Sequence, residues 1–291
     1  MQKLIPHLWY DKEALEAAEK YVKLFDDSKI INSITLPDTP SGDAQSVEFQ
    51  LAGIRFSAIN GGPYFSLNPS ISLMVSCGSP EEVDRLYGEL SIGGADLMPL
   101  DEYPFSKRFA WLQDKFGLNW QLLLAENQGE HKKIRPTYLF AGEACGKAEE
   151  ALDYYLSVFD SSQKGHVNYY EPGQSEDQRA KINYSELNIF GMEMIAMDHG
   201  YGGDFTFNEA FSMMILCKDQ AEIDYYWEKL SFVPEAEQCG WVKDQFGISW
   251  QIVPEMLQDI LAKGSKEEIK RITEAFLKMK KLDIAVIENE L

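Results

Sequence analysis

WLQDKFGLNWQLLL, residues 111–124, returns at an offset of 130 as WVKDQFGISWQIVP, residues 241–254. Six identities share that frame: Trp111/Trp241, Asp114/Asp244, Phe116/Phe246, Gly117/Gly247, Trp120/Trp250 and Gln121/Gln251. Solenoid repeats run to roughly 20–50 residues, so a period this long is a duplicated domain. At roughly 100–200 residues per domain, a chain of 291 residues has room for two.

Outward from the repeat, the first copy reads as LIPHLWY (strand), a helix behind Asp11 as its cap, then SKIINSITL, SVEFQLAG and IRFSAIN as three strands. The pattern restarts with ISLMVSC and a helix whose start, Ser79-Pro80-Glu81-Glu82, has a capping serine, proline in the first turn and glutamate three after the cap. DLMPL, KRFAWLQD and LNWQLLL follow as strands, giving two βαβββ units. The second copy repeats this order from IRPTYLF to SWQIVP, with SMMILC answering SLMVSC and Asp219-Gln220-Ala221-Glu222 as a second capping box. The main asymmetry is SIGGADLMPLDEYPFSKRFA, residues 91–110, which makes the first copy ten residues longer there. The expected boundaries are 1–125 and 134–255 for the copies, 126–133 for a polar linker, and 256–291 for a helical tail with Ile269, Ile272, Phe276 and Met279 on one stripe. The fold class expected is α+β.

Composition narrows the function classes. A 45% hydrophobic content suffices for a core, and no apolar run nears the roughly 18 residues of a membrane span. MQKLIPHLWY lacks the organisation of a secretory signal, so a cytoplasmic protein is expected. A net charge of −20, without any basic segment, disfavours nucleic acid and anionic membranes as partners. Cys77, Cys145, Cys217 and Cys239 form no CxxC pair and are expected to be structural thiols.

The paired βαβββ pattern, the aromatic first helix, INGGP at 59–63 and the closing W-x-x-D-x-F-G-x-x-W-Q resemble the vicinal oxygen chelate superfamily, which includes glyoxalases, bleomycin-resistance proteins and extradiol dioxygenases. More narrowly, each copy resembles the PhnB-like domain labelled 3-demethylubiquinone-9 3-methyltransferase. The resemblance implies tandem half-barrel clefts and a divalent metal held from the first and last strand of each βαβββ unit. Carried over, the ligand positions fall near His7, Asn60, Ser70 or Ser72, and Gln121 in the first copy. In the second they fall near Thr137, Asp198 or His199, Ala210 or Ser212, and Gln251. Those nominated for a metal are His7, Gln121, His199 and Gln251. Glutamine stands where active members of the superfamily often have glutamate, and serine and carboxamide are poor partners for such a metal.

The residues therefore favour a small-molecule-binding protein, ligand unnamed, over a metal-dependent lyase, isomerase or dioxygenase on the same fold. The expected ligand-contacting residues are His7, Asn60, Phe65, Gln121, Asp198, His199, Phe205, Phe207 and Gln251. Methyl transfer is disfavoured, since no glycine-rich strand-to-helix turn with an acidic ribose ligand is present. The two copies are expected to form a pseudo-dimer; a third reading makes one copy a structural partner only, and a homodimer is a further assembly to consider.

Overall fold

A computed structural model of the chain describes residues 2–125, 129 and 131–291. Linker residues 126–128 and 130 lie outside the described residues. The first half contains β1 (Leu4–Tyr10), α1 (Ala14–Tyr21), β2 (Lys29–Thr39), β3 (Gly42–Leu51) and β4 (Ile54–Asn60). It continues with β5 (Ile71–Cys77), α2 (Pro80–Leu90), β6 (Ala95–Tyr103), β7 (Ser106–Gln113) and β8 (Asn119–Leu124). The second half contains β9 (Ile134–Phe140), α3 (Ala148–Val158), β10 (Ser162–Tyr169), β11 (Ile182–Ile189) and β12 (Met192–Asp198). Then come β13 (Phe211–Cys217), α4 (Gln220–Leu230), β14 (Trp241–Lys243) and β15 (Ser249–Pro254), and the tail forms α5 (Glu255–Lys263), α6 (Lys266–Phe276) and α7 (Ile284–Glu288).

The last module has one strand fewer than the βαβββ pattern expected. The segment that becomes the long β6–β7 hairpin in the first half is ten residues shorter in the second, where a 3-10 turn at Pro234–Ala236 and the short β14 take its place.

The strands do not assemble copy by copy. One sheet has the order β14-β15-β13-β1-β4-β3-β2, the other β10-β11-β12-β9-β5-β8-β7-β6. Each joins the opening module of one copy to the closing module of the other, through β1 antiparallel to β13 and β9 antiparallel to β5. The compact units are accordingly Met1–Ser66 with Asn208–Leu291, and Leu67–Phe207. The sequence repeat and the folded unit are thus two different partitions of the chain.

Strand alternation divides each sheet into a helix face and a concave face. In β1, Tyr10 reaches Tyr21 of α1 through its hydroxyl, 3.4 Å away, whereas Ile5 joins a cluster with Leu257, Ile272, Leu282 and Ile287 of the tail. Cys77 and Cys217 close matched strands as buried free thiols, as their positions in the repeat suggested.

The helix starts are set partly from a distance. Asp11 is not the cap of α1; Glu13 occupies that position without a side-chain bond, and the Ala14 amide donates instead to Asn60 Oδ1 at 2.8 Å. Asn60 sits opposite Tyr10 in the β1–β4 register, so its side chain leaves the sheet beside the first turn of α1. Asp198 occupies the same place in the other unit, opposite Phe140, and its carboxylate accepts from the amides of Gly146, Ala148, Lys181 and Ile182 at 2.8–3.1 Å.

The repeated motif is a clasp. Asp114 Oδ1 accepts from the amides of Phe116 and Leu118 at 2.9 and 3.1 Å, and Oδ2 from Trp120 Nε1 at 2.8 Å. Asp244 makes the same three bonds to Phe246, Ile248 and Trp250, at 2.9, 3.0 and 2.8 Å. Gly117 and Gly247 both turn the chain at φ 89°, a conformation open to glycine. Replacing Asp244 with alanine strands three buried donors, and at ~1–3 kcal/mol for each buried group left unpaired the loss should be at least ~3 kcal/mol, read as a lowered urea midpoint with little change in m.

Candidate functional site

Register alignment draws one polar row across the concave face of the first unit. Ser249 pairs with Ser212, Ser212 with His7, His7 with Ser57, Ser57 with Glu48, and Glu48 with Asn32. One step along, Gln251 pairs with Met214 and with Trp241, and its Nε2 donates to Ser212 Oγ at 2.9 Å. His7 is 4% exposed, meets Trp241 edge-on at 5.5 Å, and leaves Nδ1 buried without a hydrogen-bond partner. Burial lowers the His7 pKa to about 3, so the imidazole is neutral and keeps an acceptor lone pair.

Aromatic side chains wall one end. Trp9 crosses Trp241 at 6.1 Å and Phe65 at 5.2 Å, and its Nε1 donates to the Gly62 carbonyl at 2.8 Å. Gly61 lies so close under the Trp9 ring that a Cβ there would fall 2.2 Å from it, so only glycine lets the ring lie this way. The opposite wall is apolar and comes from the tail: Leu257, Leu261, Phe276 and Leu282 face His7, Ser57, Glu48, Asn32 and Gln251 across a partly open cavity of about 130 Å³. Typical ligand pockets hold roughly 300–1,000 Å³, so this cavity suits a small molecule of a few heavy atoms.

The second unit carries a changed version of the same rows. Gln113, Asn119, Ser72, Thr137, Ile195 and Glu186 stand in register, with Thr137 in the place of His7 and Ile195 in that of Ser57. Gln121 repeats the serine bond, Nε2 to Ser72 Oγ at 2.8 Å, and pairs with Trp111. His199 lies just beyond β12, half-buried, with its pKa lowered by burial; its ring meets Phe205 at 5.3 Å, Tyr201 at 6.2 Å and Trp111 at 6.5 Å.

The expected site residues therefore separate. His7, Phe65 and Gln251 gather in the first unit, and Gln121, His199 and Phe205 belong to the second. The expectation that His7 would share a cleft with Gln121 is corrected by the exchange of modules, which gives His7 to Gln251 and Thr137 to Gln121. Asn60 and Asp198 point to the helix face as caps, and Phe207 is buried edge-on against Phe140 at 5.0 Å, so these three lie away from the concave rows. Trp9, Ser57, Glu48 and the tail residues were missed. Trp9 and Ser57 follow from strand parity once His7 is placed, whereas Glu48 and the tail needed the sheet order.

A divalent metal is the cofactor this architecture implies, and the residues do not fit one. Around His7 stand serines and a carboxamide whose Nε2 is bound to Ser212. The one carboxylate of the row, Glu48, accepts from Arg55 Nη2 at both oxygens, 2.9 and 2.8 Å. Among the described residues no group of three or more His, Cys, Asp or Glu gathers at metal-binding spacing.

The mixed sheets with concave inner faces define a glyoxalase-like fold. Glyoxalase I from Zea mays is similar over 90% of this chain and 98% of its own, with a TM-score of 0.57 and 11% identity, a likeness of fold. The sequence profile of the family described as 3-demethylubiquinone-9 3-methyltransferase matches residues 2–123 and again 132–253, and the chain belongs to that family. A putative 3-demethylubiquinone-9 3-methyltransferase, PhnB protein, from Bacillus cereus is 38% identical over 43% of this chain and all of its own, with a TM-score of 0.40. No curated protein matches the chain. No helix among the described residues is long and apolar enough to cross a membrane.

The state of His7 has a measurable consequence. The unfolded chain protonates this imidazole below about pH 6.5 while the folded chain holds it neutral down to about pH 3, so stability should fall as pH drops through that window. The slope from this group is on the order of 1.4 kcal/mol per pH unit. His7→Asn should flatten the fall between pH 6 and about pH 4, measured by urea unfolding at each pH.

Proposed function

We propose that the chain is a small-molecule-binding protein that works without a resident metal, with its principal site in the concave face of the first unit. The observation that carries this reading is the buried, neutral His7, its Nδ1 unpartnered on the wall of a cavity, while Gln251 and Ser212 are bonded to each other. A buried acceptor without a donor costs free energy, and a ligand hydroxyl or N–H placed there would remove that cost. The polar row facing an apolar tail wall favours a small amphipathic ligand: one edge hydrogen-bonds to His7, Ser57 and Gln251, and its apolar face lies on Leu257, Leu261 and Phe276. Trp9 and Trp241 supply flat contact for a planar group.

The second reading is a metal-dependent lyase, isomerase or dioxygenase, favoured only by the fold. Methyl transfer, which the family description names, finds no support in the chain. Gly61-Gly62, Gly93-Gly94 and Gly202-Gly203 do not stand between a strand and a crossover helix, where a methyl donor's nucleotide is usually held. A cytoplasmic setting and a homodimer remain part of the proposal.

Metal analysis of protein purified without chelator separates the two main readings. The expected result is less than stoichiometric divalent metal, and no thermal shift on adding manganese, nickel or zinc. Stoichiometric metal that disappears in His7→Ala or Gln251→Ala would make the chain a metalloprotein and overturn the binding reading. A screen of small phenols and hydroxy-aromatics by intrinsic fluorescence should give saturable quenching in the native protein, and weaker quenching in Trp241→Leu, where only Trp9 of the pair remains.

A further inference from the structure

The concave face of the second unit buries a cation that the fold does not require. Arg135 is 2% exposed on β9 and stands opposite Met74 of β5, as Ile5 stands opposite Met214 in the first unit. An isoleucine fills the matching place at 1% exposure, where the tail covers the sheet. The backbone geometry is therefore satisfied by an aliphatic side chain, and the guanidinium needs another account.

Its partners occupy one side of the group. Nη1 donates to Tyr184 Oη at 3.1 Å and to Glu186 Oε1 at 3.4 Å, and Nη2 reaches only Met74 Sδ at 3.9 Å. Nε is buried with no partner. Nε–H and Nη2–H form the side-on edge of a guanidinium, the edge whose two parallel donors match two oxygens of a carboxylate or phosphate. Glu186 cannot serve that edge. Its Oε1 is taken by Tyr184 Oη at 2.7 Å and approached by His131 Nε2 at 3.3 Å, and its Oε2 accepts from the His166 amide at 3.3 Å. Glu193 is likewise engaged, by the Lys132 amide at 2.9 Å and His131 Nδ1 at 3.5 Å. Arg135 borders a partly open cavity of about 200 Å³ whose wall also includes Lys164, Gln163, Asn188 and His131 together with the engaged carboxylates Glu186 and Glu193. Glu186 pairs with Nη1 alone, so the buried Nε–Nη2 edge keeps a desolvation cost that a second anion would offset.

We infer that Arg135 anchors a second ligand site, on the second unit, that takes a small molecule bearing an oxyanion, carboxylate or phosphate, gripped side-on by Nε and Nη2. This site is independent of the His7 cavity and stands or falls separately from it. The test titrates the full chain with sodium acetate and with inorganic phosphate, matched in ionic strength by sodium chloride. The Arg135 Nε–Hε resonance is followed by NMR, assigned by its loss in Arg135→Lys, and thermal unfolding is followed in parallel. The expected result is a saturable shift of that resonance and a raised Tm with one of the two anions and not with chloride. A response to acetate assigns a carboxylate, and a response to phosphate a phosphoryl group. Arg135→Ile, which copies the first unit, should fold and lose the stabilisation, and Arg135→Lys should bind at least about tenfold more weakly, since an ammonium lacks the paired edge. No saturable shift with either anion overturns the inference, as does unchanged anion stabilisation in Arg135→Ile. Should Arg135→Ile not fold, the native resonance decides alone.

Discussion

The carboxylates of Asp114 and Asp244 set the frame in which both concave faces are built. Each ties a glycine turn to the indole of the following strand, and that bond commits Trp120 and Trp250 to the helix face. Strand alternation then leaves Gln121 and Gln251 no choice but the concave side, where each meets a serine of the neighbouring parallel strand. A slip of one residue would bury an amide under the helix and turn an indole into the cleft. The clasp is thus a register lock written twice, and the polar rows follow from it.

Much of this was legible in the sequence. The repeat, the order of strands and helices apart from one strand of the last module, and the opposition of tryptophan and glutamine follow from spacing and parity alone. The β1–β13 and β9–β5 pairings do not, because alternation says which face a residue takes and not which strand lies alongside. For that reason His7 was grouped with Gln121, although the sheet gives it Gln251. Asn60 and Asp198 were misjudged for a related reason. A polar residue ending an apolar strand can face a ligand or a helix start, and only the register opposite Tyr10 and Phe140 decides between them.

Duplication supplied two similar surfaces, and the chain finishes them differently. The first carries His7 and Ser57 and faces an apolar tail, so its polar groups line a small cavity with an apolar far wall. In the second, Thr137 and Ile195 replace that pair, the β6–β7 hairpin extends the sheet, and a buried arginine takes the place of Ile5. A single fold thus carries a buried neutral imidazole on one concave face and a buried guanidinium, paired with Glu186, on the other.

The exchange of modules also orders the birth of the protein. The second unit is made of one continuous run, Leu67–Phe207, and can close as soon as that stretch has been synthesised. The first cannot: β1 has its parallel neighbour β4 early, but its other edge waits for β13, some two hundred residues later in the chain. Pairings so distant in sequence close slowly, and an unpaired strand edge is prone to find the wrong partner meanwhile. The vulnerable species during synthesis is therefore a chain with one finished unit and an open-edged β1, and the arrival of β13 is the step that ends its exposure.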